Sequence, residues 1–169
     1  MNLFAKLQQR AADGKPVRVG MIGAGKFGSM YLSQVPRTPG IHMVGIADLS
    51  PDRAKAALRN VGWKEDRFAA TSLESAAKQG NTAIIDDGMA LIKSPHIDII
   101  IDATGNPAIG IAHVLACCEH GKHIVMVNVE ADALAGPLLK RRADEAGIVY
   151  SLAYGDQPAL ICEMVDWAR

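Results

Sequence analysis

The stretch VRVGMIGAGKFG, residues 17–28, decides how the rest of the chain is read. A largely apolar run, Val17 to Ile22, leads straight into Gly23, Gly25 and Gly28. The run has the length and composition of a buried strand. From Lys26 the pattern turns helical, with Phe27, Tyr31 and Val35 on one face and Pro36 closing it. Each glycine has its own task at such a junction. Gly23 allows a tight turn, Gly25 lets the backbone approach an anion, and Gly28 lets the helix pack against the strand. Ala24, Lys26 and Phe27 complete the turn. The N–H groups at the helix start, with the helix dipole behind them, attract phosphate.

IHMVGIA, residues 41–47, reads as a second apolar strand and ends at Asp48, 20 residues after Gly28. Strand, glycine turn, helix, strand and acid together form the fingerprint of a dinucleotide site. The pyrophosphate sits at the helix start and the acid accepts from ribose hydroxyls. Asp48 favours NAD, because a carboxylate repels a 2′-phosphate. Lys26, Ser50 and Arg53 offer the counter-charge that NADP needs, although Arg53 also fits a plain solvated position on its helix. Ser50 is an N-cap with Pro51 at the first helical position, and PDRAKAALRNVG runs as a helix to Gly62.

The alternation continues. Residues 72–80 (SLESAAKQG) predict a short helix, 82–85 a short strand, and 86–94 another short helix. IDIIIDA, residues 97–103, is the plainest strand, apolar enough for both faces to be covered. Pro107 to His120 is a helix ended by Gly121, His123 to Val127 a strand, Pro137 to Ala146 a helix ended by Gly147, and Ile148 to Leu152 a strand. Pro158 begins a last helix with Ile161, Met164, Val165 and Ala168 on one face. The expected fold is α/β: a Rossmann-type doubly wound, mainly parallel sheet with helices on both faces. Residues 1–15 form an amphipathic leader helix and residues 16–157 the dinucleotide-binding domain. Residues 158–169 start a helix that leads to a substrate domain outside this sequence.

Three further loops fall at the carboxyl edge of the expected sheet, where open α/β sheets bind ligands. DATGNP (102–107) offers Ala103, Thr104, Gly105 and Asn106 to a cofactor, with Asp102 at the strand end or as a helix cap. VNVEAD (127–132) offers Asn128 and Glu130 to the same crevice. Glu130 serves there as a cofactor contact or catalytic acid, or simply as a first-turn acid favoured by the helix dipole. AYGDQPA (153–159) offers Asp156 as a second catalytic candidate. His42, His96, His113, His120 and His123 show no triad or metal spacing and read as structural. Cys117, Cys118 and Cys162 lack a CxxC and read as buried small hydrophobes in a reducing compartment. No metal site is expected.

Composition narrows the partners. Lys+Arg and Asp+Glu are 18 each, so no basic face for nucleic acid stands out. No run is long enough to span a membrane, and the start lacks a signal-peptide pattern, which places the protein in the cytoplasm. The expected partner is a small-molecule substrate, with a homo-oligomer as the full-length form.

VRVGMIGAGKFG, IIIDATGNP, VNVEADALAGPLL and YSLAYGDQPALICEMVDWAR together resemble the N-terminal cofactor domain of homoserine-dehydrogenase-like proteins that carry a C-terminal SAF domain. The resemblance covers essentially the whole chain. It implies an NAD(P)-dependent oxidoreductase whose group includes deoxyxylulose-phosphate reductoisomerase-like enzymes, and these use NADPH. On that ground NADP is favoured over NAD. Homoserine dehydrogenases proper carry a lysine after the fifth strand in a T-A-N-K stretch, whereas Asn128-Val129-Glu130-Ala131 has none, which speaks against homoserine oxidation itself. A sugar-oxidising type with a Lys-Pro pair at that place ranks lower still, because the pair is absent. The remaining alternative is a non-catalytic, NAD(P)-sensing or regulatory module. The isolated fragment is expected to bind cofactor weakly and to turn over little substrate.

Overall fold

The computed structural model describes residues 2–153 and 157–169. Strands β1 (Val17–Ile22), β2 (Ile41–Ala47), β3 (Ala83–Ile85), β4 (Ile99–Asp102), β5 (His123–Met126) and β6 (Tyr150–Leu152) form one sheet. Their order is β3-β2-β1-β4-β5-β6 and every pairing is parallel. The chain enters at the middle of the sheet, winds outward to β3, returns to β4 and winds the other way. That reversal between β1 and β4 leaves a crevice at the carboxyl ends of the strands.

Helices α1 (Leu3–Ala12), α2 (Lys26–Gln34), α3 (Pro51–Asn60), α4 (Leu73–Gln79), α5 (Gly88–Lys93), α6 (Pro107–His120), α7 (Val129–Glu145) and α8 (Gln157–Ala168) complete the chain. Parallel strands need both faces covered, and the side chains of β1 show how this is met. Met21 joins Leu32, Leu58, Trp63 and Phe68 in one buried cluster, while Ile22 joins Leu91, Ile92, Val114 and Leu139 in the other. The first cluster lies under α2 and α3; the second lies under α4 to α7. Trp63 Nε1 donates to the Leu32 carbonyl at 2.9 Å, fastening the end of α3 to α2.

Several expectations shift in detail. The helix after β5 begins at Val129 rather than Pro137, so the proline lies inside it. Asn128 caps this helix by accepting the Ala131 N–H, and Glu130 and Asp132 suit its positive end. Proline there removes one N–H and leaves the Ala133 carbonyl without its usual partner. β4 is shorter than the apolar run, although Ile97 beside it is 1% exposed. Between α3 and α4 a 3₁₀ turn, Glu65–Phe68, carries Phe68 into the core. On α1 only Leu7 and Ala11 are partly covered, and on α8 Ile161, Met164 and Val165 are exposed. Of the three cysteines expected to be buried, only Cys117 is, while Cys162 is exposed. Among the described residues no helix is long and apolar enough to cross a membrane.

Candidate functional site

A cleft of about 350 Å³ opens at the carboxyl ends of β1 to β4. Gly23 and Gly25 form one side, Asp48, Leu49 and Arg53 another, and Ala103, Thr104 and Asn106 a third. Ile109 and His113 of α6 and Asp86 and Gly88 near the start of α5 close it.

The glycine turn is built for close approach. Gly23 has φ +96°, and a Cβ there would lie 2.6 Å from the Ala103 carbonyl oxygen, so the β1 and β4 loops touch backbone to backbone. A Cβ on Gly28 would lie 2.8 Å from the Gly23 carbonyl oxygen, so the helix packs against the turn as the motif requires. Gly25 is different: it caps α2, and a Cβ there would meet nothing within 4 Å. Packing does not demand glycine at that place, but a phosphate resting on the backbone does. The first N–H groups of α2 have no partner within the helix, and such groups at a helix start favour an anion. Ala24 is buried and gives its N–H to Asp48, Lys26 is exposed, and Phe27 is partly buried against the core.

Asp48 is 5% exposed at the end of β2. One carboxylate oxygen accepts the Ala24 N–H at 2.9 Å; the other accepts the Ser50 N–H at 2.9 Å and an Arg53 N–H at 2.7 Å. Burial opposes its ionisation, yet the Ala24 and Ser50 amides and the Arg53 guanidinium hold it below the usual carboxylate range. Arg53, with a side chain 65% exposed, lines the same side of the cleft as Asp48.

The β4 loop is held by a network around Asp102, which is fully buried. Asp102 Oδ1 accepts the Thr104 N–H at 3.0 Å and its hydroxyl at 2.8 Å, and Oδ2 faces His113 Nδ1 at 2.7 Å. Burial works against the charge, but His113 and Thr104 keep Asp102 below the ordinary range. An ionised carboxylate only accepts, so His113 Nδ1 carries the hydrogen. Asn128 is 1% exposed and donates to Thr104 Oγ1 and to the Asn106 carbonyl, at 3.2 and 2.8 Å. Gly105 has φ +68°, and Asn106 caps α6 through the Ile109 N–H.

The structure therefore brings together Gly23, Gly25, Asp48, Arg53, Ala103, Thr104 and Asn106 around one cleft. Asn128 lies behind the β4 loop and supports it rather than lining the cleft, and Glu130 is exposed on the first turn of α7. Asp156 lies outside the described residues. His113, read from the sequence as structural, is buried and paired with Asp102 eleven residues earlier, and its ring also lines the cleft. No spacing rule pointed to it, because the pairing joins a strand end to the second turn of the following helix. Leu49, Asp86, Gly88 and Ile109 were also missed.

This sheet order and cleft define a nucleotide-binding α/β domain of the Rossmann type. A family model described as "Oxidoreductase family, NAD-binding Rossmann fold" matches residues 17–127, and the chain belongs to that family. It is 30% identical over 138 residues to inositol 2-dehydrogenase of Acidothermus cellulolyticus, covering 80% of this chain and 34% of that protein. It is 28% identical over 116 residues to homoserine dehydrogenase of Methylobacillus glycogenes, covering 68% of this chain and 25% of that protein. The solved homoserine dehydrogenase of Thiobacillus denitrificans superposes with a TM-score of 0.65 at 20% identity, over 82% of this chain and 29% of that one. The chain spans a quarter to a third of the curated relatives it matches.

Proposed function

We propose that this domain holds NADP or NAD for hydride transfer to or from a small hydroxy or oxo substrate. The observation that carries the proposal is Gly25, whose missing side chain leaves open the approach to the start of α2, opposite Asp48. When bound, the nicotinamide supplies the hydride chemistry. The protein's own residues hold and orient. The amides of the α2 first turn receive the pyrophosphate. Asp48 fixes the glycine turn and offers an acceptor to the adenosine ribose, and Thr104 and Asn106 are held in place as the far wall by Asp102 and Asn128.

NADP is the favoured cofactor in this reading. Asp48 already spends both oxygens on Ala24, Ser50 and Arg53, so less of its charge faces a ligand. Arg53 stands exposed beside it, ready for a 2′-phosphate. The substrate is held by a further unit, for which the greater length of the relatives leaves room. Their names support a hydroxy acid or polyol class of substrate. Deoxyxylulose phosphate rests on the sequence resemblance alone.

The second reading is a dinucleotide-sensing module without turnover. The experiment is a titration of the protein with NADPH and NADH, followed by assays with homoserine, inositol and deoxyxylulose phosphate. Binding without turnover by these 169 residues fits a cofactor domain. Turnover only when a substrate unit is joined to it separates enzyme from sensor. Absence of binding removes both readings.

A further inference from the structure

His113 is a core residue by burial but not by bonding. Its side chain is 8% exposed, and one ring nitrogen is taken by Asp102, itself wholly enclosed. The other, Nε2, has no hydrogen-bond partner among the described residues. Buried polar atoms are almost always paired, and every fully enclosed side-chain nitrogen or oxygen described here has a partner. Nε2 escapes that requirement because it opens onto the cleft. A Cβ placed on Gly88, beside the ring in the cleft wall, would come within 3.4 Å of Nε2 and within 3.0 Å of Ile22. Glycine at 88 therefore leaves the approach to this nitrogen clear.

We infer that His113 Nε2 is a recognition contact for the adenosine half of the dinucleotide, accepting a hydrogen bond from a ribose hydroxyl or the adenine amine. This rests on the proposed cofactor reading and extends it to a residue outside the glycine fingerprint. With Nδ1–H given to Asp102, Nε2 is the remaining ring nitrogen, and in a neutral ring it accepts. An acceptor fixed in a pocket selects a donor. The adenosine half is chosen because the same cleft contains Asp48 and Arg53, the side chains at the ribose position of the fingerprint. Aliphatic Leu49 and Ile109 border it, 94% and 47% exposed, offering apolar surface to a base. Asp102 ties recognition to positioning, since the oxygen opposite His113 orders Thr104 in the β4 loop.

The test uses the protein labelled with nitrogen-15 in its histidines, titrated with ADP-ribose and, separately, nicotinamide mononucleotide. ADP-ribose should shift the His113 Nε2 resonance and nicotinamide mononucleotide should leave it in place. His113→Gln and His113→Ala should each weaken ADP-ribose binding about tenfold, the size of one hydrogen bond. The ring resonance of the unaltered protein decides the matter if either variant folds poorly. If ADP-ribose binds while the resonance stays fixed and His113→Gln binds equally well, the inference falls and the cofactor reading stands. A shift with nicotinamide mononucleotide alone overturns the assignment to adenosine. Failure of NADPH, NADH and ADP-ribose to bind overturns both.

Discussion

Asp48 Oδ2 accepts the backbone N–H of Ala24 at 2.9 Å, so the residue that ends β2 also fastens the glycine turn that follows β1. Replacing it by alanine leaves the buried Ala24 amide without an acceptor and releases Arg53. Asp48→Ala should cost about 2 kcal/mol in urea unfolding. It should also move the NADPH-to-NADH affinity ratio toward NADPH, because a ribose acceptor is lost and a cation is freed. An unchanged ratio in calorimetry would remove the ribose role and leave only the structural one.

Gly23 and Gly25 separate folding from binding. At Gly23 the positive φ and the Ala103 carbonyl both reject a side chain. Gly23→Ala should therefore destabilise the protein by roughly 1–3 kcal/mol. Gly25 has an ordinary negative φ and open space around its missing Cβ. Gly25→Ala should keep the thermal midpoint and lose about tenfold or more in dinucleotide affinity. Equal loss of stability at both sites would make the motif a turn and nothing else.

The charge on Asp102 links stability to acid pH. Its folded-state pKa lies below the usual range, so the stability it contributes is fully present above the unfolded value of about 3.9. That contribution is lost as pH falls through the lower, folded value. Asp102→Asn should be less stable at neutral pH and show a flatter decline below about pH 4 in urea unfolding. An acid decline identical to that of the unaltered protein would exclude this carboxylate as a source.

Asn128 caps α7 and braces the β4 loop with one amide group. Asn128→Ala should cost about 0.5–2 kcal/mol from the cap alone, and it should also weaken cofactor binding by loosening Thr104 and Asn106. Gly110 packs against the same side chain, where a Cβ would sit 2.6 Å from Asn128 Nδ2. Gly110→Ala should reproduce the loss of affinity. Unaltered binding in both variants would show that the loop keeps its shape without Asn128.

Much of this was legible in the sequence, for physical reasons. Val17 to Ile22, Ile41 to Ala47 and the run before Asp102 are apolar because parallel strands are covered on both faces. Gly23, Gly25 and Asp48 have a characteristic spacing because the glycine turn, one helix and one strand separate them. What escaped depends on contacts distant along the chain. Pro137 suggested a helix start, but the Asn128 cap with Glu130 and Asp132 outweighs a missing N–H. Glu130 lies in that first helical turn, at its positive end. Asn128 reads as a crevice residue until the Thr104 hydroxyl and the Asn106 carbonyl are seen to claim it. Asp86 and Gly88 enter the cleft only because β3 is brought beside β2.

Calorimetric titration of the folded protein with NADPH and NADH, in parallel with Gly25→Val, tests the central claim most directly. The account predicts that at least one dinucleotide binds with a dissociation constant on the order of millimolar or tighter. It predicts that valine at the open position abolishes that binding while the circular dichroism spectrum and thermal midpoint are retained. An intact fold that binds neither dinucleotide, or binds equally well with valine there, would contradict it.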